Sequence, residues 1–266
     1  MTFPYKCVLI TGATSGIGLA LAEAIINNGS FVVAVGRRQD RLDQLVHKHG
    51  SDKLAAECFD ISQIENLPDW TTSLLSKYPN LDAVLLNAGF QHRVNLLAPS
   101  PSLLPDITSE LHTNYLSPLH TSILLLPHLQ TLSKTHPTAL IFVSSGLALV
   151  PSVLVPTYSA GKAALHSLAW CFRAQLADAF PGLRVVEIIP PAVQTELHTL
   201  QGLPAFGMPL EEFAEEAWRG LVSGREEVAV GMARESAEMV EGERRMAFER
   251  FTSMVKGAGV AKGKDD

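Results

Sequence analysis

Short runs of apolar, largely β-branched residues recur along the chain: CVLI at 7–10, FVVAV at 31–35, AVLL at 83–86, ALIFV at 139–143 and RVVEII at 184–189. Each is bounded by Gly, Asn, Asp or a similar turn former. Most are continuously apolar rather than alternating, which is the pattern of a strand covered on both faces. Between them the apolar residues change to a helical period, as in Ile17, Ala20, Leu21, Ala24 and Ile25, or Leu165, Leu168, Phe172 and Leu176. Strand and helix in alternation predict βαβ units with right-handed crossovers. The expected fold class is therefore α/β, a single-domain doubly wound parallel sheet of Rossmann type with helices on both faces.

Two segments break the alternation. Residues 90–106 carry three prolines and little periodicity, and read as a loop after a strand. Residues 197–210 are apolar but interrupted by Gly202, Pro204, Gly207 and Pro209, and are expected to form a mobile lid. From Ala233 to Val255 a helix is predicted, with Val240, Ala247, Phe251 and Met254 on its apolar side. Neither a short-period repeat nor a Ser-, Gly- or Pro-rich linker divides the chain. One domain is expected over 1–256, with 257–266 as a flexible tail.

Composition narrows the function classes. The 266 residues include 27 acidic and 21 basic ones, a formal net charge of -6, which argues against a strongly basic nucleic-acid or membrane-surface binder. Three scattered cysteines, Cys7, Cys58 and Cys171, fit a reducing compartment better than a disulfide framework. The N-terminus lacks the pattern of a signal peptide, and the apolar stretch from Leu116 to Leu132 is broken by Pro118, His120, Pro127 and His128. A cytoplasmic protein with neither membrane nor nucleic-acid partner is expected. His47 and His49 have no Cys, Asp or Glu at ligand spacing, so no metal is predicted.

The residues with the most chemical content gather around three strand ends. The first strand runs into Thr11-Gly12-Ala13-Thr14-Ser15-Gly16-Ile17-Gly18 and then a helix, placing glycines and free helix amides where a pyrophosphate could sit. The alternative is a tight turn with close helix packing. The second strand ends at Gly36-Arg37-Arg38, where an NAD-preferring site would offer a carboxylate to the ribose. Gly36 would leave space and the Arg37 guanidinium suits a 2′-phosphate, although Arg37 and Arg38 could simply open a solvated helix, as Arg41 does. Tyr158 and Lys162, four apart, share a helix face. Ser145 lies at the end of the strand before them, at the same sheet edge as the glycine turn. Gln91, His92 and Arg93 follow another strand and could reach a substrate or simply lie on the surface.

TGATSGIG, the LNAG at 86–89, Asn114, Ser145 and the Tyr158-Ser-Ala-Gly-Lys162 segment stand in an order and spacing that resemble the short-chain dehydrogenase/reductase family over nearly the whole chain. The resemblance implies a nicotinamide cofactor and a catalytic tetrad of Asn114, Ser145, Tyr158 and Lys162 acting on a carbonyl or alcohol. It also implies adenine contacts from Asp60 and Ile61, and an adenine-ribose wall from Asn87, Ala88 and Gly89. Pro190, Val193 and Thr195 would lie beside the nicotinamide. Two departures stand out: Pro191 replaces the family's usual glycine, removing backbone freedom, and Ser15 stands where many NADP-dependent relatives carry a basic residue.

The expected activity is hydride transfer between NADP(H) and a carbonyl or secondary alcohol of a lipophilic small molecule. Tyr158 would exchange the proton, Lys162 would favour its phenolate, Ser145 would orient the carbonyl and Asn114 would support a water path. The same scaffold could instead run a non-redox isomerisation or cyclisation, or serve as a cofactor-sensing binding protein. Apolar Leu124, Leu125, Trp170 and Phe172, beyond a single stripe on their helices, predict a homodimer or homotetramer.

Overall fold

The computed structural model describes residues 3–202 and 204–258. Seven parallel strands form one sheet in the order β3-β2-β1-β4-β5-β6-β7: β1 Cys7–Thr11, β2 Phe31–Gly36, β3 Leu54–Cys58, β4 Ala83–Leu86, β5 Thr138–Val143, β6 Leu183–Ile189 and β7 Glu227–Ala229. Strand order reverses between β1 and β4, so the crevice at their carboxyl ends is the topological switch point of a doubly wound sheet.

Helices α1 Gly16–Asn27, α2 Gln39–His49 and α8 Leu210–Val222 cover one face. Helices α3 Leu67–Lys77, α5 Ser117–Leu132 and α6 Pro156–Leu176 cover the other. Because both faces are covered, successive strand residues feed separate cores. In β5, Ala139, Ile141 and Val143 join one cluster while Leu140 and Phe142 join the other. That division explains the uninterrupted apolar runs.

All five strands expected from the sequence are present. The sequence reading missed β3 and β7, the two edges. β3 is LAAEC, half exposed, and β7 has three residues, so neither shows a long apolar run. The segment 90–106 stays irregular until a short turn at Pro101–Leu103 leads into α4 Leu104–Leu111. Between α4 and α5 one π-turn, His112–Leu116, lets a single helical path change its winding.

The short helix α7, Glu196–Thr199, opens the 197–210 segment. The amides of Met208 and Gln194 donate to the carbonyls of Ala192 and Met208, at 2.8 and 2.9 Å, tying the far end of the segment to the chain before α7. Leu203 lies outside the described residues. Among the described helices none is long and apolar enough to cross a membrane.

Helix α9, Met232–Gly257, confirms the predicted C-terminal helix but not its apolar face. Val240, Phe251 and Met254 are exposed, and the buried residues of α9 are Ala233 and Glu241. Phe248 packs on Trp170, which also lies under the guanidinium groups of Arg244 and Arg245. Trp170 is thereby buried within its own chain, as is Leu125, so these two supply no open apolar face for association. Gly257 belongs to α9; of the expected tail, 259–266 lie outside the described residues.

Glu241 meets His166 of α6 at 3.5 Å, and the other nitrogen of His166 lies 2.9 Å from both carboxylate oxygens of Glu187 on β6. The side chains of His166 and Glu187 are fully buried. Burial alone would strip the imidazolium of its proton, but Glu187 and Glu241 outweigh it and hold the pKa at about 9. A group bound more tightly to its proton in the folded state contributes stability that is complete below its unfolded pKa, near 6.5. That contribution is lost as pH rises through about 9. Thermal melts should therefore show Tm falling between pH 6.5 and 9. His166→Gln should flatten that slope and cost about 3–5 kcal/mol at pH 6.5, because it leaves Glu187 buried and uncompensated.

Candidate active site

The turn after β1 is built by residues without side-chain bulk. Gly12, at φ +68°, would bring a methyl within 2.9 Å of the Ala88 Cα, and Gly16 adopts φ +53° against Thr195. A methyl at Gly18 would overlap the Gly12 carbonyl and the Asn87 side chain. Asn87 is structural as well as local to the site. Its side-chain amide donates to the Thr11 carbonyl at 3.0 Å, while the Thr11 hydroxyl accepts from the backbone amides of Asn87 and Ala88 at 3.0 and 3.1 Å. These bonds fasten the tips of β1 and β4 at the switch point. Ser15, at the α1 N-cap, turns its hydroxyl to Arg38 rather than to the helix amides.

The two arginines after β2 diverge. Arg37 is largely exposed and faces Asp60 at 3.5 Å, whose other oxygen accepts from the Ser62 amide and hydroxyl at 3.0 and 2.8 Å. Ile61 is buried in the core beside it. Arg38 points over the glycine turn, donating to the Thr14 hydroxyl at 2.9 Å, to the Ser15 hydroxyl at 2.7 Å and to Glu196 at 2.9 Å. The space expected at Gly36 is already taken, since a methyl there would stand 2.6 Å from Thr14 Cγ2. Arg41, read from sequence as a solvated helix residue, joins the same group through Glu196 at 2.6 Å. Its spacing of three from Arg38 on α2 was the available signal. Nothing local in the sequence connects either arginine with Glu196.

At the other side of the switch point, the four tetrad residues converge and are all buried. Asn114 sits inside the π-turn, where its amide exchanges two bonds with the Phe90 backbone, accepting from the N–H at 3.0 Å and donating to the carbonyl at 2.7 Å. Lys162 Nζ donates to the Val143 carbonyl at 2.8 Å and lies 5.7 Å from the Tyr158 ring centre. Gly89 permits the gathering, because a methyl there would approach Asn114 Oδ1 to 2.9 Å and Lys162 Nζ to 3.6 Å. The Ser145 hydroxyl accepts from the Leu147 amide at 3.1 Å.

Burial pushes the Tyr158 phenol up to about 12; the neighbouring Ser145 hydroxyl opposes the shift and the nearby Glu110 adds to it. Burial likewise lowers the Lys162 ammonium to about 8, against support from Glu187. Desolvation thus outweighs the expected help from the ammonium, and in the ligand-free chain the phenol is harder to ionise than in water. Two buried carboxylates missed in the sequence set this environment. Glu110 accepts from the His92 amide at 2.6 Å and the Thr157 hydroxyl at 2.7 Å, and Glu187 accepts from the Ser144 hydroxyl beside Ser145.

Pro190 and Val193 hold the floor of the nicotinamide side expected from the sequence. The Pro190 carbonyl accepts from the Gly146 amide at 2.8 Å, Val193 is buried beside Met208, and Thr195 caps α7 by accepting from the Leu197 amide at 3.3 Å.

A glycine turn and a buried Asn-Ser-Tyr-Lys group on one edge of a doubly wound parallel sheet define a dehydrogenase-type α/β protein. The chain belongs to the short chain dehydrogenase family, whose model matches residues 6–202. The uncharacterized oxidoreductase DltE of Bacillus subtilis is 36% identical over 236 residues, covering 86% of this chain and 89% of that one. A short chain dehydrogenase from Burkholderia cenocepacia, solved in complex with NADP, aligns with TM-score 0.75 and 25% identity over 94% of this chain and 98% of that one. A 3-ketoacyl-(acyl-carrier-protein) reductase from Brucella melitensis, complexed with NADH, shares the fold at TM-score 0.74 and 24% identity, over 86% of this chain and 98% of that one.

The tightness of the turn is measurable by comparing two glycines. Gly18→Ala should destabilise the protein by about 1–3 kcal/mol through overlap with the Gly12 backbone. Gly242→Ala, in α9 with open space around it, should stabilise by about 0.5–1 kcal/mol. Urea denaturation of both variants gives the two signs.

Proposed function

We propose that the protein is an NADP(H)-dependent oxidoreductase acting on the carbonyl or secondary alcohol of a lipophilic small molecule. The convergence of buried Ser145, Tyr158, Lys162 and Asn114 on the same sheet edge as the glycine turn carries this reading. The turn suits a dinucleotide: the positions of Gly12 and Gly16 hold backbone conformations open to close approach, and they lie at the N-terminus of α1. Thr14, Ser15, Gly16, Ile17 and Gly18 would hold the pyrophosphate, Arg38 and Arg41 a 2′-phosphate, and Arg37, Asp60 and Ile61 the adenine side. Asn87, Ala88 and Gly89 would line the ribose. The nicotinamide, when bound, supplies or accepts the hydride.

The chain's own residues handle the proton. In reduction the Tyr158 hydroxyl donates to the carbonyl oxygen, which Ser145 orients by a second hydrogen bond. Lys162 holds a positive charge beside the phenol while it is protonated, and its affinity of about 8 places that charge within reach of neutral pH. Polar groups of a substrate or cofactor entering the site would ease the burial that keeps the phenol near 12.

On the loops after β4 and β5, Leu97, Val153 and Leu154 are exposed, and the Val94 amide donates to the Leu154 carbonyl at 3.2 Å, joining the two loops. Leu200 and Phe206 expose further apolar surface on the 197–210 segment, with the Phe206 ring 4.3 Å from that of His198. Such exposed apolar side chains on the loops beyond the sheet edge favour a lipophilic substrate over a charged sugar. The reading also includes a two-fold homo-oligomer in the cytoplasm. Leu111 and Ile123, both exposed along the α4–α5 path, supply its apolar surface, and light scattering should return a multiple of the 28.7 kDa chain mass.

NADPH should bind at least about tenfold more tightly than NADH, a difference of about 1.4 kcal/mol, in a fluorescence titration. Equal affinities would remove the NADP preference. With a panel of ketones, Tyr158→Phe should abolish nearly all turnover while leaving NADPH affinity within about threefold. Lys162→Ala should lower both, and Ser145→Ala should resemble Tyr158→Phe. Retained reduction in Tyr158→Phe would reject the tetrad assignment and return the lead to a non-redox or binding function.

A further inference from the structure

The group around Arg38 contains an anion from the chain itself. Glu196 presents one carboxylate oxygen to Arg38 at 2.9 Å and the other to Arg41 at 2.6 Å. Arg38 simultaneously donates to Thr14 and Ser15, and Arg41 reaches the Thr14 carbonyl at 3.4 Å. Two guanidinium groups and two hydroxyls therefore form a cradle over the glycine turn. It draws in a carboxylate 158 residues from Arg38 in sequence. The paired cations hold the Glu196 carboxyl below the usual carboxylate range, so it is ionised at neutral pH.

Glu196 is also the first residue of α7, the start of the 197–210 segment. Thr195 caps that helix, and Gln201 folds back to donate to the Leu197 carbonyl at 2.6 Å. The ion pairs consequently tie this segment to the adenosine end of the site, across the glycine turn from the tetrad. Charge decides what a phosphate does there. With Glu196 in place, the cradle carries two positive charges and one negative. A phosphate monoester adds about -1.5 to -2, and beside it an ionised Glu196 becomes a like-charged neighbour. A free ribose hydroxyl imposes no such conflict.

We propose that Glu196 is a specificity-determining residue that competes with the cofactor's 2′-phosphate for Arg38 and Arg41, so that a 2′-phosphorylated cofactor displaces it and releases α7. This inference rests on the cofactor site assigned above. Its consequence is that the phosphorylated and unphosphorylated cofactors leave the 197–210 segment in different states: untied with the first, tied with the second. Glu196 then lowers the affinity for the phosphorylated cofactor while making its arrival felt at the far side of the opening.

Adenosine 2′,5′-bisphosphate and adenosine 5′-monophosphate carry the relevant chemistry without the nicotinamide. In calorimetric titrations, Glu196→Gln should tighten the bisphosphate about fivefold and leave the monophosphate within about twofold, which also shows that the variant is folded. In the wild-type protein, the bisphosphate should speed hydrogen exchange at the amides of residues 197–202, and the monophosphate should not. Unchanged or weaker bisphosphate binding in the variant would overturn the proposal and make Glu196 a residue that positions Arg38 for phosphate. Exchange rates indifferent to the bisphosphate would overturn the release of α7. The wild-type preference between NADPH and NADH judges the cofactor reading separately: a protein that binds both equally, yet gains bisphosphate affinity on Glu196→Gln, retains the competition without the preference.

Discussion

A negative charge at the centre of an apolar sheet organises much of this molecule. Glu187 points from β6 into a region where its carboxylate is entirely removed from water. Such a charge is tolerated only with close compensation. His166 from α6 gives the compensating charge, and the Ser144 hydroxyl adds a hydrogen bond. Ser144 immediately precedes Ser145, and His166 lies one helical turn beyond Lys162, whose proton Glu187 helps to retain. The end of β5 and the start of α6, which carry three of the four tetrad residues, are thus locked to one electrostatic arrangement. Removing the charge would loosen the positions of Ser145 and Lys162 without touching either.

The site is organised in position before it is tuned in charge. Asn114, Ser145 and Lys162 each hold a backbone group at hydrogen-bond distance. The same enclosure that fixes them penalises their ionised forms, raising the phenol and lowering the ammonium. Geometry is supplied by packing and costs nothing further when a ligand arrives. On the proposed function, electrostatic adjustment would come with ligand binding, as new polar neighbours replace missing water.

The sheet interior was legible in the sequence because two-sided burial leaves uninterrupted apolar runs. The edge strands were not, since half-exposed Ala and Glu in β3 and a three-residue β7 carry little of that signal. Likewise Ser145, Tyr158 and Lys162 could be picked out from spacing because they lie on consecutive elements, whereas Asn114 came only from the family resemblance. Glu110, Glu187 and Glu196 could not, because each acts through a partner brought close by tertiary structure. Apolar periodicity misled in α9, where Val240, Phe251 and Met254 turn outward while a glutamate turns inward. The preference of Arg38 over Arg37 for the turn depends on the direction in which the chain enters α2, which two adjacent identical residues do not reveal.

Helix α9 is fastened largely by polarity. Glu241 meets His166, Arg245 meets Glu227 on β7, and Lys256 meets Asp178 beyond α6, while the apolar share rests on Ala233 and on Phe248 against Trp170. Ion pairs near the surface weaken in salt, whereas the aliphatic contacts within the sheet do not. The protein therefore has two structural layers with unequal responses to ionic strength. Salt should act first on the Arg245–Glu227 and Lys256–Asp178 ties of the C-terminal helix, while the buried His166–Glu241 pair and the seven strands keep their hold.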